Sequence, residues 1–248
     1  MSQRRVMAIL MLAAIAAIPT IAAFWLAASG DAGDPERALI LAPSSLAVVQ
    51  GEIDAALEAN GIPAPEWVFA GSQTIVAQLI DGAPADVLLT ASRSTLDRAK
   101  DAGVTGPTEA MITDNHLVLA VAEGNPGNVT VLADLANSSL LVGVCAVDVP
   151  CGQLAVDATL ALDVSVSADT EEPSVRALST KLLTGELDAG LIYRTDALAT
   201  GVPVVDVAGI DAYRTTYWGS TLTGNDAVLN FLLSDEGQTI LRDAGFGP

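Results

Sequence analysis

Short apolar runs alternate along most of the chain with segments whose apolar residues recur at helical spacing. Runs of four to six apolar residues between turn residues are typical of buried strands, and the helical spacing indicates amphipathic helices. The pattern predicts strands at 38–42, 67–70, 87–90, 117–122, 140–144, 164–167, 189–193, 202–207 and 217–222. It predicts helices at 46–60, 74–80, 92–102, 131–136, 152–162, 173–184, 225–234 and 235–244.

This alternation predicts an α/β fold with largely parallel sheets, because parallel strands are joined by crossover helices. Ligands of such sheets bind at the carboxyl ends of the strands, where the next helix begins. One series of strands and helices lies before about residue 116 and a second lies after it, which predicts two lobes.

The first 33 residues differ from the rest of the chain. Arg4 and Arg5 precede an apolar stretch from Val6 to Ala28, and the first acidic residue is Asp31. A basic start followed by a long apolar run is typical of an export signal, and this run is also long enough to anchor the chain in a membrane. Small residues at Ala27 and Ser29 offer a cleavage site, so we favour a cleaved signal and keep the anchor as the alternative.

Composition excludes several classes of protein. The 11 basic residues face 30 acidic ones, a net charge of −19, which argues against nucleic acid or an anionic membrane surface as a partner. Hydrophobic residues make up 51% of the chain, which excludes disorder. A single histidine and two cysteines exclude most histidine-rich metal sites and multi-disulfide scaffolds.

The two cysteines, Cys145 and Cys151, lie six positions apart. A disulfide is the usual state of two cysteines outside the cytoplasm, and free thiols are the alternative. A metal site would need more ligands than two thiols, and the lone His116 lies far away in sequence.

Three predicted strand-to-helix turns carry small or hydroxylic residues, at 42–46, 70–74 and 149–152. Each would present free backbone N–H groups at a helix start, where the helix dipole favours an anion. Serine at such a position also commonly caps its own helix, so one turn alone favours the capping role. Three of them at successive strand ends favour an anion site.

Catalytic motifs are weak. A serine hydrolase that uses Ser72 or Ser45 would need His116 beside the serine, and Ser72 does not lie in a G-x-S-x-G elbow. No phosphate-binding or dinucleotide-binding glycine pattern occurs. We therefore expect a binding protein rather than an enzyme, with an exported serine hydrolase as the alternative.

Several stretches, in order, resemble the periplasmic molybdate-binding proteins of ABC importers. They include Phe69–Thr74, Gly82–Val87, Asn115–Leu119, Val149–Gly152, Ser174–Leu178, Gly185–Tyr193 and Phe231–Pro248. The resemblance implies a two-lobed type II periplasmic-binding-protein fold, in which each lobe is a mostly parallel sheet flanked by helices and a hinge joins the lobes. The implied lobes are 34–115 with 209–248, and 116–208.

The resemblance also implies a tetrahedral oxyanion held by neutral hydrogen-bond donors, without a cofactor. Ser45 and Ser72 would donate from the first lobe, and Cys151, Val175 and Tyr193 from the second. Ser44 is the alternative to Ser45, and a Cys145–Cys151 disulfide would brace the loop that carries Cys151. Cys151 and Gln73 stand where the family has smaller residues.

The implied ligand is molybdate, and tungstate with it; sulfate or another tetrahedral oxyanion is the alternative. The implied partner is an ABC permease, and we expect an exported monomer with no nucleic-acid partner, which touches a membrane only through its first 33 residues.

Overall fold

The computed structural model describes residues 37–247, and Arg37–Pro248 forms one compact unit. The predicted export signal or anchor at 1–33 lies outside the described residues. The strands are β1 (Leu39–Pro43), β2 (Glu66–Ala70), β3 (Val87–Thr90), β4 (Thr108–Val121), β5 (Val142–Cys145), β6 (Thr170–Glu172), β7 (Ala189–Tyr193), β8 (Val204–Val205) and β9 (Arg214–Thr221).

The helices follow the strands in alternation over most of this range. They are α1 (Gln50–Ala59), α2 (Ser72–Ile80), α3 (Arg93–Asp101), α4 (Pro150–Ala161), α5 (Val175–Leu183), α6 (Arg194–Thr200), α7 (Ala227–Leu233) and α8 (Asp235–Asp243). Three short 3₁₀ turns occur at Ser44–Val49, Leu132–Ala136 and Ile210–Ala212. This confirms the predicted α/β architecture.

The strands run in the order β2-β1-β3-β9-β4-β7-β5-β6, and β8 pairs with β4. The neighbours β1–β2, β1–β3, β5–β6 and β5–β7 are parallel, as the alternation of strands and helices predicts. The long strands β4 and β9 add antiparallel pairings at the centre. The carboxyl ends of the parallel strands therefore lie on either side of this antiparallel centre.

Two groups of buried apolar residues lie on the two sides of the centre. One cluster draws its members from residues 117–210, and two others draw theirs from 38–112 and 217–246. We call the part around 38–112 and 217–246 the first lobe and the part around 117–210 the second lobe. Strand β4 belongs to both, since residues 108–116 pair with β9 and residues 117–121 pair with β7. The predicted lobe boundaries and the hinge stay predictions.

One predicted strand is wrong. Residues 164–167 alternate between half-buried and exposed, as a strand does, and Val164 and Val166 pack on the second-lobe core. The edge of β5 is already paired with β6 at Thr170–Glu172, so 164–167 has no strand partner in the described part of the chain. Its backbone is tied by a bond from Ser167 N–H to the carbonyl oxygen of Leu135, at 2.8 Å.

Other elements differ in extent. The predicted helix at 46–60 is a 3₁₀ turn followed by α1, and the predicted helix at 131–136 is a 3₁₀ turn. Strand β4 begins nine residues before the predicted 117, because its pairing with β9 stabilises a stretch of mixed polarity. Helix α6 was not predicted: it has seven residues, and no side chain caps its start.

Across residues 37–247, no helix combines the length and the apolar character that crossing a membrane requires.

Candidate functional site

Five chain segments that follow strands meet at one small cavity. Its lining includes all five residues of the predicted oxyanion set, namely Ser45, Ser72, Cys151, Val175 and Tyr193. Ser45 lies in the 3₁₀ turn after β1, and Ser72 is the first residue of α2. Cys151 and Val175 lie in the first turns of α4 and α5, and Tyr193 ends β7. Binding of a ligand by this set stays a prediction.

The cavity is buried and free of charge. Each of the five side chains is at most 3% exposed. The remaining lining residues are also uncharged: Pro43, Ser44, Ala70, Gly71, Ala91, Val149, Pro150 and Ser174. The volume is about 10 Å³, which corresponds to about one water-sized sphere. A ligand in this cavity would meet hydrogen-bond donors and apolar groups, not side-chain cations.

The first-lobe hydroxyls are held by partners from neighbouring strands. Ser72 Oγ accepts a bond of 3.0 Å from the backbone N–H of Ala91, so its own O–H is free to donate. Ser45 Oγ lies 2.7 Å from Tyr217 Oη on β9. Both serines are thus fixed in position while keeping the capacity to donate a hydrogen.

The side-chain amide of Asn115 contacts the Ser45–Tyr217 pair. Asn115 Nδ2 donates to Thr195 Oγ1 at 2.8 Å and, more weakly, to Tyr217 Oη at 3.4 Å. Because Tyr217 accepts from the amide, its own hydrogen can be donated to Ser45 Oγ, which leaves the Ser45 hydrogen able to point into the cavity. Burial raises the pKa of the Tyr217 phenol above its usual value, so this group stays protonated.

This support could not be predicted from local sequence. Asn115 belongs to the family-like motif, but Tyr217 was predicted only as a strand residue. Asn115 and Tyr217 are 102 positions apart, and Ser45 and Tyr217 are 172 apart. A pairing over such distances follows from the order of strands in the sheet.

Two of the three predicted donors of the second lobe are backbone N–H groups. Cys151 and Val175 lie in the first turns of α4 and α5, where the helix has no carbonyl to accept from the backbone N–H. Both helices have nine residues or more, so their dipoles favour negative charge at these ends. Ser174 caps α5 by accepting from Ala177 N–H at 3.2 Å, as the capping role of serine predicts.

Tyr193 brings a phenol whose buried Oη makes no hydrogen bond of normal geometry within residues 37–247. The Thr215 hydroxyl lies near enough to lower the pKa of the phenol, but its own hydrogen goes to the Ala91 carbonyl oxygen. Burial raises the pKa of the phenol well above its usual value, which keeps it a neutral donor. Because an unpaired buried hydroxyl is destabilising by about 1 to 3 kcal/mol, such a group points to a ligand as its natural partner.

A disulfide joins Cys145 to Cys151 and closes the loop before α4, with 5.8 Å between the two Cα atoms. The turn is tight: a Cβ on Gly152 would lie 2.0 Å from the carbonyl oxygen of Ala146. The backbone N–H of Ala146 donates to the Glu172 carbonyl oxygen at 2.9 Å. The loop that carries Cys151 is therefore fixed by a covalent bond and by the neighbouring strand.

The lone histidine lies elsewhere. His116 lines a separate, mostly apolar cavity of about 700 Å³ with residues of β4, α6 and the segment 201–211. Burial and the nearby Arg214 lower its pKa. His116 therefore does not line the cavity with Ser45 and Ser72, where the hydrolase alternative needs it. Residues 37–247 also contain no cluster of three or more His, Cys, Asp or Glu side chains suited to a metal ion.

One buried carboxyl lies next to the site. Asp196 on α6 is 3% exposed, and its Oδ2 has no hydrogen-bond partner in the described residues. It lines a cavity of about 410 Å³ together with Arg176, and Ser44 borders both this cavity and the serine-bearing one. Burial raises the pKa of the Asp196 carboxyl to about 7, and the Arg176 charge opposes this shift.

Comparison with known proteins gives a family match over almost the whole described range. Residues 39–247 match the family described as bacterial extracellular solute-binding protein. The molybdate-binding protein ModA of Mycobacterium bovis is 36% identical over 141 residues, which cover 57% of this chain and 54% of the relative. The chain thus spans about half the length of that relative in the match.

Two further proteins are similar over a longer range. The molybdate-binding protein ModA of Haemophilus influenzae is 29% identical over 195 residues, covering 72% of this chain and 76% of the relative. The solved structure of the Azotobacter vinelandii periplasmic molybdate-binding protein has a TM-score of 0.72 at 13% identity, covering 86% of this chain and 99% of that one. At this identity the structural likeness establishes the fold, which is the predicted type II periplasmic-binding-protein fold.

Proposed function

The chain belongs to the family of bacterial extracellular solute-binding proteins, and we propose that it binds molybdate, and tungstate with it, for an ABC importer. The observation that carries this proposal is the buried Tyr193 hydroxyl, which makes no hydrogen bond of normal geometry in the described residues and belongs to a residue that lines the cavity with two serines and two helix starts. The similarity to relatives named as molybdate-binding proteins supports molybdate as the oxyanion.

The electrostatics of the site fit an anion without a side-chain cation. The protein carries a net charge of −19, so a dianion is repelled at long range and must be held by short-range interactions. Oriented hydroxyl and N–H dipoles in a dry cavity are stronger than the same bonds in water. Two hydroxyls, a phenol and two backbone N–H groups surround the cavity and provide such dipoles.

Loading of the site requires movement. The cavity as described has room for about one water-sized sphere, and a five-atom oxyanion is larger. The donors come from both lobes, with Ser45 and Ser72 on one side and Cys151, Val175 and Tyr193 on the other. We therefore propose that the lobes separate to admit the anion and close on it by a hinge motion.

Residues 1–33 would export the chain or anchor it, and the loaded monomer would dock on the permease. The binding role requires no cofactor and no catalytic step.

The test is a binding panel on the purified protein with molybdate, tungstate, sulfate and phosphate, each titrated separately by calorimetry and by thermal melting. A ligand at a thousand times its dissociation constant stabilises the folded state by about 4 kcal/mol, which raises Tm by about 10 °C for a chain of this size. Shifts with molybdate and tungstate alone are the expected result. A shift with sulfate or phosphate alone would assign a different oxyanion, and no shift with any of the four would overturn the proposed function.

A further inference from the structure

A side-chain hydrogen bond joins the two lobes beside the anion cavity. Gln73 on α2 donates from Nε2 to the carbonyl oxygen of Pro173, at 3.1 Å, across 100 positions of sequence. Gln73 directly follows Ser72, and Pro173 lies two residues before Val175. The bond therefore links the two segments that bring Ser72 and Val175 to the cavity from opposite sides.

The two segments are in direct contact at this point. A Cβ placed on Gly71 would lie 2.5 Å from the Pro173 carbonyl oxygen and 2.5 Å from Gln73 Oε1. A side chain at position 71 would thus keep the two backbones apart. An N–H···O bond is lost once the heavy atoms separate by much more than 3.2 Å, so a small opening of the cleft at this point breaks the Gln73–Pro173 bond.

The Gln73 amide is oriented from the second lobe. Gln73 Oε1 is buried and has no hydrogen-bond partner within residues 37–247, so the bond to Pro173 is the one that holds this amide there. Two other side-chain hydrogen bonds between the lobes lie outside these two segments. Asn115 Nδ2 donates to Thr195 Oγ1, and Arg194 Nη1 donates to the Gly245 carbonyl oxygen at 3.0 Å. Gln73 differs from these because it lies between two of the anion-binding segments.

We propose that Gln73 is a positioning residue that holds the cleft closed over the bound anion and thereby slows its release. The anion itself is the one assigned by the proposed function, on which this inference rests. Because the bond forms only when the lobes meet, its loss accelerates dissociation and does not slow association, which occurs in the open form.

The test compares Gln73→Met with Gln78→Met in the otherwise unchanged protein. Methionine keeps the length of the side chain and removes the donor to Pro173. Gln78 lies on the same helix, is exposed and has no part in the cavity, so it is the matched control.

Stopped-flow tryptophan fluorescence gives the association and dissociation rates for sodium molybdate. We expect dissociation to be about threefold to tenfold faster in Gln73→Met, as for one hydrogen bond, with association no slower. Equal dissociation rates in the two variants would overturn the inference.

A second measurement is independent of the ligand. Nitroxide labels at two exposed positions, Arg98→Cys in the first lobe and Leu160→Cys in the second, report the distance between the lobes by pulsed electron spin resonance. In the ligand-free protein we expect Gln73→Met to shift this distribution to longer distances and Gln78→Met to leave it unchanged. An unchanged distribution in Gln73→Met would overturn the proposed role of Gln73 in holding the cleft closed. If the parent protein binds none of the four oxyanions, the proposed function fails while this measurement still decides the role of Gln73.

Discussion

The hydroxyl of Ser45 lies 2.7 Å from the phenol of Tyr217, so a residue near the start of the first lobe is oriented by one near its end. Tyr217 is fully buried, packs edge-on against Tyr193 and Phe246, and accepts from Asn115. Its hydroxyl is therefore fixed before any ligand arrives. Ser45 is thus a preoriented donor, and its orientation depends on a residue that does not line the cavity.

Replacing Tyr217 with phenylalanine removes this support. Ser45 Oγ loses its partner and its hydroxyl can rotate, so we expect molybdate to bind about threefold to tenfold more weakly, as for the loss of one neutral hydrogen bond. Tyr213→Phe is the matched control, because Tyr213 only packs at the edge of the second-lobe core. Calorimetric titration of both variants measures the effect. Equal affinities would mean that Ser45 is oriented without Tyr217, or that Ser44 is the ligand.

Tyr193→Phe is expected to separate binding from stability. The lost phenol would remove a hydrogen bond to a charged ligand, which weakens binding by about 10- to 100-fold. The ligand-free protein gains or keeps stability, since the Tyr193 hydroxyl is buried without a partner in the described residues. Calorimetry and ligand-free melting of the same variant test both statements. A loss of ligand-free stability would show that Tyr193 Oη has a structural partner instead.

Much of the fold could be predicted because several strands can be recognised from their own residues alone. Val87–Thr90 and Ala189–Tyr193 are buried along their whole length, and a short run that is apolar at nearly every position indicates a buried strand. The first half of β4 could not be found in this way. It carries Glu109, Asp114 and Asn115 among apolar residues, and it is a strand because β9 pairs with it from a hundred residues away.

The residues of the candidate site could likewise be predicted only in part from their own chemistry. The serines at strand ends and the turn at 149–152 could be singled out from chemistry, but Val175 would act through a backbone N–H group, which any residue type has. The place of Val175 in the predicted set came from resemblance to a family, and the structure brings Val175 and Cys151 to the same cavity as the serines. Asp196 carried no signal, because its burial depends on packing between α6 and the turn at Ser44–Val49.

Reduction of the Cys145–Cys151 disulfide is expected to destabilise the fold. A loop of about six residues corresponds to roughly 2 kcal/mol of chain entropy, or a Tm lower by about 4 to 8 °C. Because the loop positions the Cys151 N–H, we also expect the reduced protein to bind molybdate more weakly. Melting and titration with and without reductant measure this, and the Cys145→Ser, Cys151→Ser double variant serves as a control that should not respond to reductant. An identical Tm for oxidised and reduced protein would contradict the expectation.

The Asp196 carboxyl makes stability depend on pH in a direction opposite to that of most carboxylates. Its pKa is about 7 in the folded protein, against about 3.9 in an unfolded chain. Between these values the unfolded state has lost the proton and the folded state has kept it, so the free energy of unfolding falls as pH rises. Over about three pH units this amounts to about 4 kcal/mol, and above pH 7 the difference no longer changes.

Asp196→Asn isolates this contribution, because asparagine has a similar shape and does not titrate. The groups that face Asp196 are Arg176 from α5 and the phenols of Tyr193 and Tyr217, and the raised pKa values of the two phenols keep them neutral between pH 4 and 8. We therefore expect the variant and the parent to have similar stability near pH 4 and the variant to be more stable near pH 8, by up to about 4 kcal/mol. Urea unfolding of both proteins at half-unit steps from pH 4 to 8 gives the difference directly. A difference that stays constant with pH would show that Asp196 ionises at its ordinary value and that Arg176 compensates for its burial.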